Sequence, residues 1–266
     1  MRDLVIVPAW RRPGFLWACL ERLTLADNGT AHYVVTIDRE ADLQNSLAIE
    51  PMISKLGASR VQVVQRNHRW PGNSYNILAA LLDATKTDYD LVHIVEEDVF
   101  VAVDHFDTHH AGHEEYPGEF AVSTCANQNL KQDPPDSRFY VHPSYQSLAV
   151  SMPQESLRRV LPHIKPAYLN NQIAYCAQQF SLSRIPPENA EQDGLINRVR
   201  EQSRLNTVYS STPRAYHAGF TGYHRDGIPL EGTVEEQGRQ LLAMTAEELN
   251  AHAPEQFRDH TVCDLD

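Results

Sequence analysis

Short apolar runs alternate with helix-patterned segments through the first hundred residues, and few folds accommodate that alternation. Leu4-Val5-Ile6-Val7, Tyr33 to Ile37, Val61 to Val64 and Leu91 to Val95 read as strands, the first ended by Pro8. Between them, Phe15 to Leu25, Leu43 to Leu56 and Asn73 to Ala84 carry apolar residues at helical spacing. Pro13 and Gly14 mark the start of the first helix, and Asn73 is the expected cap of the third. A strand–helix rhythm of this kind predicts an α/β fold: a mostly parallel sheet with helices on both faces.

The second half is mixed. Phe120 to Ser123, Ser147 to Ser151 and Thr207 to Ser210 read as strands. Gln154 to Leu161 and Gln192 to Gln202 read as helices, with a loop over Arg184 to Glu191. After Arg225 the chain turns polar and helical, and Thr245 to Asn250 begins like a capping box. No linker separates two domains. The expected organisation is one domain over 1–225, with halves at 1–130 and 131–225, and a helical appendage over 226–266.

Composition narrows the partners. Of 266 residues, 35 are Asp or Glu against 23 Lys or Arg, a formal net charge of −12. Nucleic acid and anionic membranes need clustered positive charge, so neither is favoured, although a local basic groove stays open. Cys19, Cys125, Cys176 and Cys263 show no CxxC pair or zinc-ligand spacing, so free thiols in a reducing compartment are expected, with Cys19 and Cys176 packed as small hydrophobes. The first residues lack a signal-peptide core, and no stretch approaches the roughly 20 apolar residues of a membrane span. A soluble, cytoplasmic protein is the expectation.

Ligands of open parallel sheets bind beyond the carboxyl ends of the strands. Here those ends carry Arg11 and Arg12, then Asp38, then Arg66 and His68, then Glu96, Glu97 and Asp98. GxGxxG is missing from the first turn, and GxxxxGK[ST] from the chain, so neither a dinucleotide fold nor a P-loop is supported. Three adjacent carboxylates after an apolar strand repel one another unless a cation or a basic partner neutralises them. Mg²⁺ and Mn²⁺ favour such oxygens and take one or two protein ligands plus substrate phosphates. His105, His109, His110 and His113 have i, i+3 and i, i+4 spacings that suit zinc, but the polarity of the segment favours a solvated loop.

Taken together, these strand ends resemble a GT-A glycosyltransferase of the N-acetylglucosaminyltransferase I type. HIVEEDVFVAVDHF (93–106) resembles that family's strand and acidic triplet, with Glu-Glu-Asp in place of Glu-Asp-Asp. VIVPAWRRPGFLWACLERL (5–23), TIDRE (36–40) and NHRWPGNSYNIL (67–78) resemble its other strand ends. The match is good over residues 3–130 and loose beyond.

The resemblance implies a GT-A (Rossmann-like) fold and a metal-dependent, inverting transfer of a sugar from a nucleotide-diphosphate donor, UDP-sugar favoured, to a hydroxyl acceptor. Asp98 would hold Mn²⁺ or Mg²⁺, and Glu97 would reach the ribose. Pro8, Arg12, Asp38 and His68 would border the nucleotide, and Glu96 would lie beside the donor. AEQDGLINRVRE (190–201) resembles the segment with the catalytic Asp, which makes Asp193 the expected general base and Glu191 its backup. A carboxylate at a helix start is expected to be held anionic. PRAYHAGFTGYHR (213–225) resembles a closing loop in which Gly219 and Gly222 permit motion, His217 or His224 touches diphosphate or metal, and Arg225 neutralises phosphate. The acceptor is unresolved among glycan, protein and hydroxymethylated nucleobase. The alternatives are a nucleotidyltransferase acting on sugar phosphates, for which PAWRRPG has too few glycines, and a non-catalytic nucleotide-sugar-binding module, favoured only if Asp193 is remote from the triplet.

Overall fold

A computed structural model of the chain describes residues 1–38, 43–66, 72–127, 135–221, 230–252 and 265. The first half follows the expected rhythm: β1 (Asp3–Ala9), α1 (Pro13–Ala26), β2 (His32–Asp38), α2 (Leu43–Leu56), β3 (Val61–Arg66), α3 (Asn73–Ala84) and β4 (Leu91–Ile94). Next come β5 (Val99–Val101), α4 (His105–Glu115), β6 (Ala121–Ser123), β7 (Phe139–His142) and β8 (Val150–Pro153). The helices α5 (Gln154–Val160), α6 (Pro166–Asn170), α7 (Gln172–Gln179) and α8 (Gln192–Ser203) precede β9 (Thr207–Ser210) and β10 (Ala215–His217). Two helices, α9 (Val234–Ala243) and α10 (Ala246–His252), complete the described elements.

Eight strands form one sheet in the order β3-β2-β1-β4-β8-β6-β9-β7, and four of its seven pairings are parallel. β1 is buried along its whole length, as a central parallel strand must be when helices cover both faces. Its side chains alternate accordingly. Val5 and Val7 enter the core beneath α1 and α2, while Leu4 and Ile6 enter the core beneath α3, α5 and α8. α1 is buried nearly all round because α9 lies over it. Gly238 of α9 sits against the Trp17 ring so closely that a Cβ there would overlap it. Among the described residues no helix is long and apolar enough to cross a membrane.

Several local expectations change. Pro8 lies inside β1 instead of ending it: β1 outlasts its last register pair with β4, Ile6↔Ile94, so a proline there costs no ladder bond on that side. The strand expected over Ser147 to Ser151 begins only at Val150, where pairing with Ile94 starts, and Ser147 is left in the preceding loop. Asn73 is the first residue of α3, not its cap. The cap position is Gly72, whose φ of 113° favours glycine. The histidine-rich stretch is not a solvated loop. It is helix α4, with His105 and His109 fully buried against the sheet. Cys19, Cys125 and Cys176 are buried free thiols, Cys19 and Cys176 packing in the core as expected, and Cys263 lies outside the described residues.

The contact of α9 with α1 gives a direct test. Gly238→Ala should lower stability by about 1–3 kcal/mol through overpacking against Trp17, read as a fall in Tm with an unchanged far-UV spectrum. An unaltered Tm would show that α9 does not sit on α1 in solution.

Candidate functional site

The end of β4 delivers Glu96, Glu97 and Asp98 into the space between the β1–α1 turn and β10. Glu97 and Asp98 are 3% and 4% exposed, so their charges need partners. Arg12 supplies them. Its Nε donates to Glu97 Oε1 at 2.8 Å, and its Nη1 lies 2.7 Å from Asp98 Oδ2. The Trp10 backbone N–H donates to the other Glu97 oxygen at 2.7 Å. Glu97, expected at the ribose, therefore has both oxygens engaged in holding the β1–α1 turn.

Asp98 is shared with a distant segment. Antiparallel pairing of β5 with β10 sets His217 opposite Val99, which puts His217 Nε2 3.2 Å from Asp98 Oδ2. The Ala218 N–H donates to the Asp98 carbonyl at 2.7 Å and fixes the turn that follows. Gly219 lies in that turn so near the pair that a Cβ would overlap both Asp98 Oδ2 and His217 Nε2. Its glycine permits a close approach. Burial works against the ionised Asp98, but His217 and Arg12 outweigh it and hold this carboxyl well below the usual range. Burial likewise opposes a charge on His217, and Asp98 overcomes it, shifting the imidazole upward. The other oxygen, Asp98 Oδ1, is buried with no hydrogen-bond partner among the described residues.

A second carboxylate pair adjoins the first. The Ser147 hydroxyl, in the loop before β8, donates to Glu96 Oε1 at 3.1 Å and is also a hydrogen-bond partner of Asp193. Gln192 Nε2 donates to Asp193 Oδ1 at 3.0 Å, and its own Oε1 accepts from Ser74 of α3 at 2.7 Å. Asp193 thus opens toward Glu96 and feels the charge of His217. Burial, then the neighbouring Asp98 and Asp193, raise Glu96 above the ordinary carboxylate range. Burial, then Glu191, push Asp193 up to about 6. Desolvation thus outweighs the helix start, which favours the anion, although a carboxyl at about 6 still leaves Asp193 mostly anionic at neutral pH.

The remaining expected residues lie at the periphery or beyond the described chain. Asp38 is buried and accepts from the Gly72 N–H at 2.9 Å, which ties β2 to the start of α3. Arg66 turns away to Asp83 and Thr36. His68, Gly222, His224 and Arg225 lie outside the described residues. Ser147 and Gln192 carry no signal in the sequence, where a serine at the edge of an apolar run and a glutamine at a helix start are ordinary. Tyr145 belongs with them. Its hydroxyl is buried without a hydrogen-bond partner among the described residues, in the field of Asp193 and Glu96.

No protein-family model matches this chain, and no curated protein sequence matches it. Solved structures do. S. aureus TarS 1–349 in complex with UDP-GlcNAc aligns with a TM-score of 0.55 at 15% identity, over 95% of this chain and 64% of that one. The mannosyltransferase PcManGT from Pyrobaculum calidifontis, in complex with GDP-Man and Mn²⁺, aligns with a TM-score of 0.52 at 14% identity, over 97% and 67%. The chain spans less than two thirds of the TarS fragment. At such identities the likeness speaks for the fold, and the fold is the α/β GT-A type.

Arg12 is the partner on which the buried acids depend. Replacing it by methionine strands Glu97 and part of Asp98 without a countercharge, and Arg12→Met should cost about 3–5 kcal/mol at pH 7. Uncompensated burial raises carboxyl pKa values, so the folded variant takes up protons more readily than its unfolded chain. Its deficit should therefore shrink as pH falls from 7 toward 5, in paired urea titrations with the parent. A deficit independent of pH would mean that Arg12 acts by packing alone.

Proposed function

We propose that this chain is a divalent-metal-dependent glycosyltransferase, moving a sugar from a nucleotide-diphosphate donor to a hydroxyl acceptor with inversion. One observation carries the reading. On a GT-A fold, a buried carboxylate with a free oxygen, Asp98, lies at the end of β4 with a second carboxylate, Asp193, opening toward the adjoining Glu96. The TarS structure with UDP-GlcNAc and the PcManGT structure with GDP-Man and Mn²⁺ support the choice of donor class and cation.

The residues suit a hard cation. Asp98 Oδ1 has no other partner among the described residues, and Mn²⁺ and Mg²⁺ bind through one or two carboxylates plus substrate phosphates. Asp98 would hold the ion, with Glu96 beside it. Bound there, the cation would neutralise diphosphate charge and favour departure of the nucleotide. Arg12 and His217 keep Asp98 ionised, so the ligand is ready before any ion arrives. Glu97 acts as a positioning residue, holding the turn from which Arg12 reaches out.

Asp193 is the proposed base. The acceptor oxygen forms its bond to the anomeric carbon as the bond from that carbon to the diphosphate oxygen breaks. The electron pair leaves with the nucleotide, and the hydroxyl proton passes to Asp193. A carboxyl held near 6 is mostly ionised at pH 7 yet basic enough to take that proton. Ser147 and Gln192 fix its direction. Asp38 and His68 would read the base, with uridine favoured, and Pro8 would line the nucleotide. His217, beside Asp98, and His224 are both proposed to meet diphosphate or metal.

Donor binding, turnover and stability each test the reading. With Mn²⁺, the chain should bind UDP-sugars and hydrolyse them slowly, and Asp98→Asn should abolish metal-dependent donor binding in calorimetry while the fold persists. Unchanged donor affinity would remove Asp98 from the site, and tighter binding of a guanosine donor would overturn the base assignment. Asp193→Asn should cut turnover about 10²-fold or more with donor affinity nearly unchanged, because general-base catalysis typically contributes 10²–10⁴. Turnover of the parent should rise with pH through about 6 as Asp193 ionises. Stability should move the other way. A carboxyl with a raised folded pKa contributes stability that is full below its ordinary 3.8 and lost as pH rises through about 6. Asp193→Asn should thus raise Tm at pH 7 to 8, and a lowered Tm there would contradict the burial assigned to this group.

A further inference from the structure

His93 of β4 and His105 and His109 of α4 meet in the core, all three with zero exposure. One ring nitrogen from each lies within 4.8 Å of one from each of the others. The rings are packed edge to face or tilted, with centroids 4.4–5.6 Å apart. Around them stands a shell of oxygens. Asp3 Oδ1 accepts from His93 Nε2 at 3.0 Å. Thr124 Oγ1 is 3.3 Å from His105 Nδ1, and Ser151 Oγ is 2.7 Å from His109 Nδ1. The Thr124 hydroxyl proton is directed to the Ala149 carbonyl, which leaves its oxygen to accept from His105.

One nitrogen of each imidazole meets an oxygen, and Thr124 Oγ1 meets a nitrogen of both His105 and His109. His93 Nδ1 and His105 Nε2 are buried with no hydrogen-bond partner among the described residues. His109 Nε2 has only the 3.3 Å contact to Thr124. A neutral imidazole carries one proton, so His93, whose Nε2 donates to a carboxylate, presents an Nδ1 lone pair in a space closed to solvent. His105 and His109 present theirs in the tautomers that donate to Thr124 and to Ser151, whose own proton then has His113 Nε2, 2.8 Å away, as its acceptor. Buried polar atoms of this kind call for a partner. Ligating histidines characteristically donate their other N–H to a carboxylate or hydroxyl oxygen, and that is the arrangement Asp3, Thr124 and Ser151 make here. The i, i+4 pair on α4 places its two rings on one helix face, as zinc-binding histidine pairs require.

We propose that His93, His105 and His109 form a buried site for a transition-metal cation that prefers imidazole nitrogen, tested with Zn²⁺. The site would clamp α4 to β4, the strand whose next residues carry the Glu96–Asp98 triplet, and it is independent of the glycosyltransferase reading. Imidazole suits Zn²⁺, Cu²⁺ and Ni²⁺, whereas Mn²⁺ and Mg²⁺ favour oxygen, so the two sites would take different ions.

The experiment uses the untagged full chain carrying Asp98→Asn, which silences the carboxylate site, stripped with a chelator and then given one equivalent of Zn²⁺. The expected result is one ion retained through desalting, a raised Tm, and an X-ray absorption first shell of imidazole nitrogens at about 2.0–2.1 Å. His109→Leu in the same background keeps volume but removes a lone pair, and should weaken Zn²⁺ at least 100-fold. Retention of no ion, or a first shell of oxygens, would overturn the proposal, as would unchanged affinity in a folded His109→Leu variant. If that variant fails to fold, the absorption spectrum of the Asp98→Asn chain alone decides.

Discussion

Arg12 holds two carboxylates at once, and the geometry of the candidate site rests on that fork. Glu97 and Asp98 are almost fully buried just beyond the end of a fully buried strand. Left alone, either would cost several kcal/mol in a low-dielectric interior. The guanidinium spans both, 2.8 Å from one and 2.7 Å from the other, and so couples the turn after β1 to the end of β4. These are adjacent parallel strands, and their carboxyl ends are where an open α/β sheet offers a ligand crevice.

From that clamp follows a division of roles among four acids of similar intrinsic chemistry. Glu97 has every oxygen occupied and serves the scaffold. Asp98 is kept ionised by Arg12 and His217 through one oxygen and offers the other. Glu96 and Asp193, which share Ser147, are shifted upward because burial outweighs the pull of His217 on both. Environments that push like groups apart are how a single site provides both a permanent anion and a group that exchanges protons near neutrality.

The helix α4 shows how misleading polarity can be. Its sequence, HFDTHHAGHEE, reads as solvated, yet His105 and His109 are fully buried and Asp3, at the start of β1, turns inward to meet His93 and His110. Burial keeps His105 and His109 neutral, far below the usual imidazole range. A neutral histidine is compact and hydrogen-bonds at two points, so a helix of them can line a core if acceptors lie opposite. Those acceptors, Asp3, Thr124 and Ser151, come from three different strands or strand ends, which no local window reveals.

What the sequence determined by itself is the part governed by short-range physics. The alternation of apolar runs with helical periodicity set the β–α rhythm, with Leu43–Leu56, Asn73–Ala84 and Thr207–Ser210 bounded to the residue. The placement of Glu96, Glu97 and Asp98 directly after an apolar strand marked the strand end on which the candidate site is built. Tertiary structure decided everything that depends on charges meeting across the chain. Arg12 is 85 residues from Glu97, yet it is the cation that the acidic triplet demanded. His217 reaches Asp98 only because β10 pairs with β5, and Ser147 joins Glu96 only because β8 starts three residues later than its apolar run suggests. Hydrophobic periodicity is written in neighbouring residues. The neutralisation of buried charge is not, because its partners are chosen by the fold that buries them.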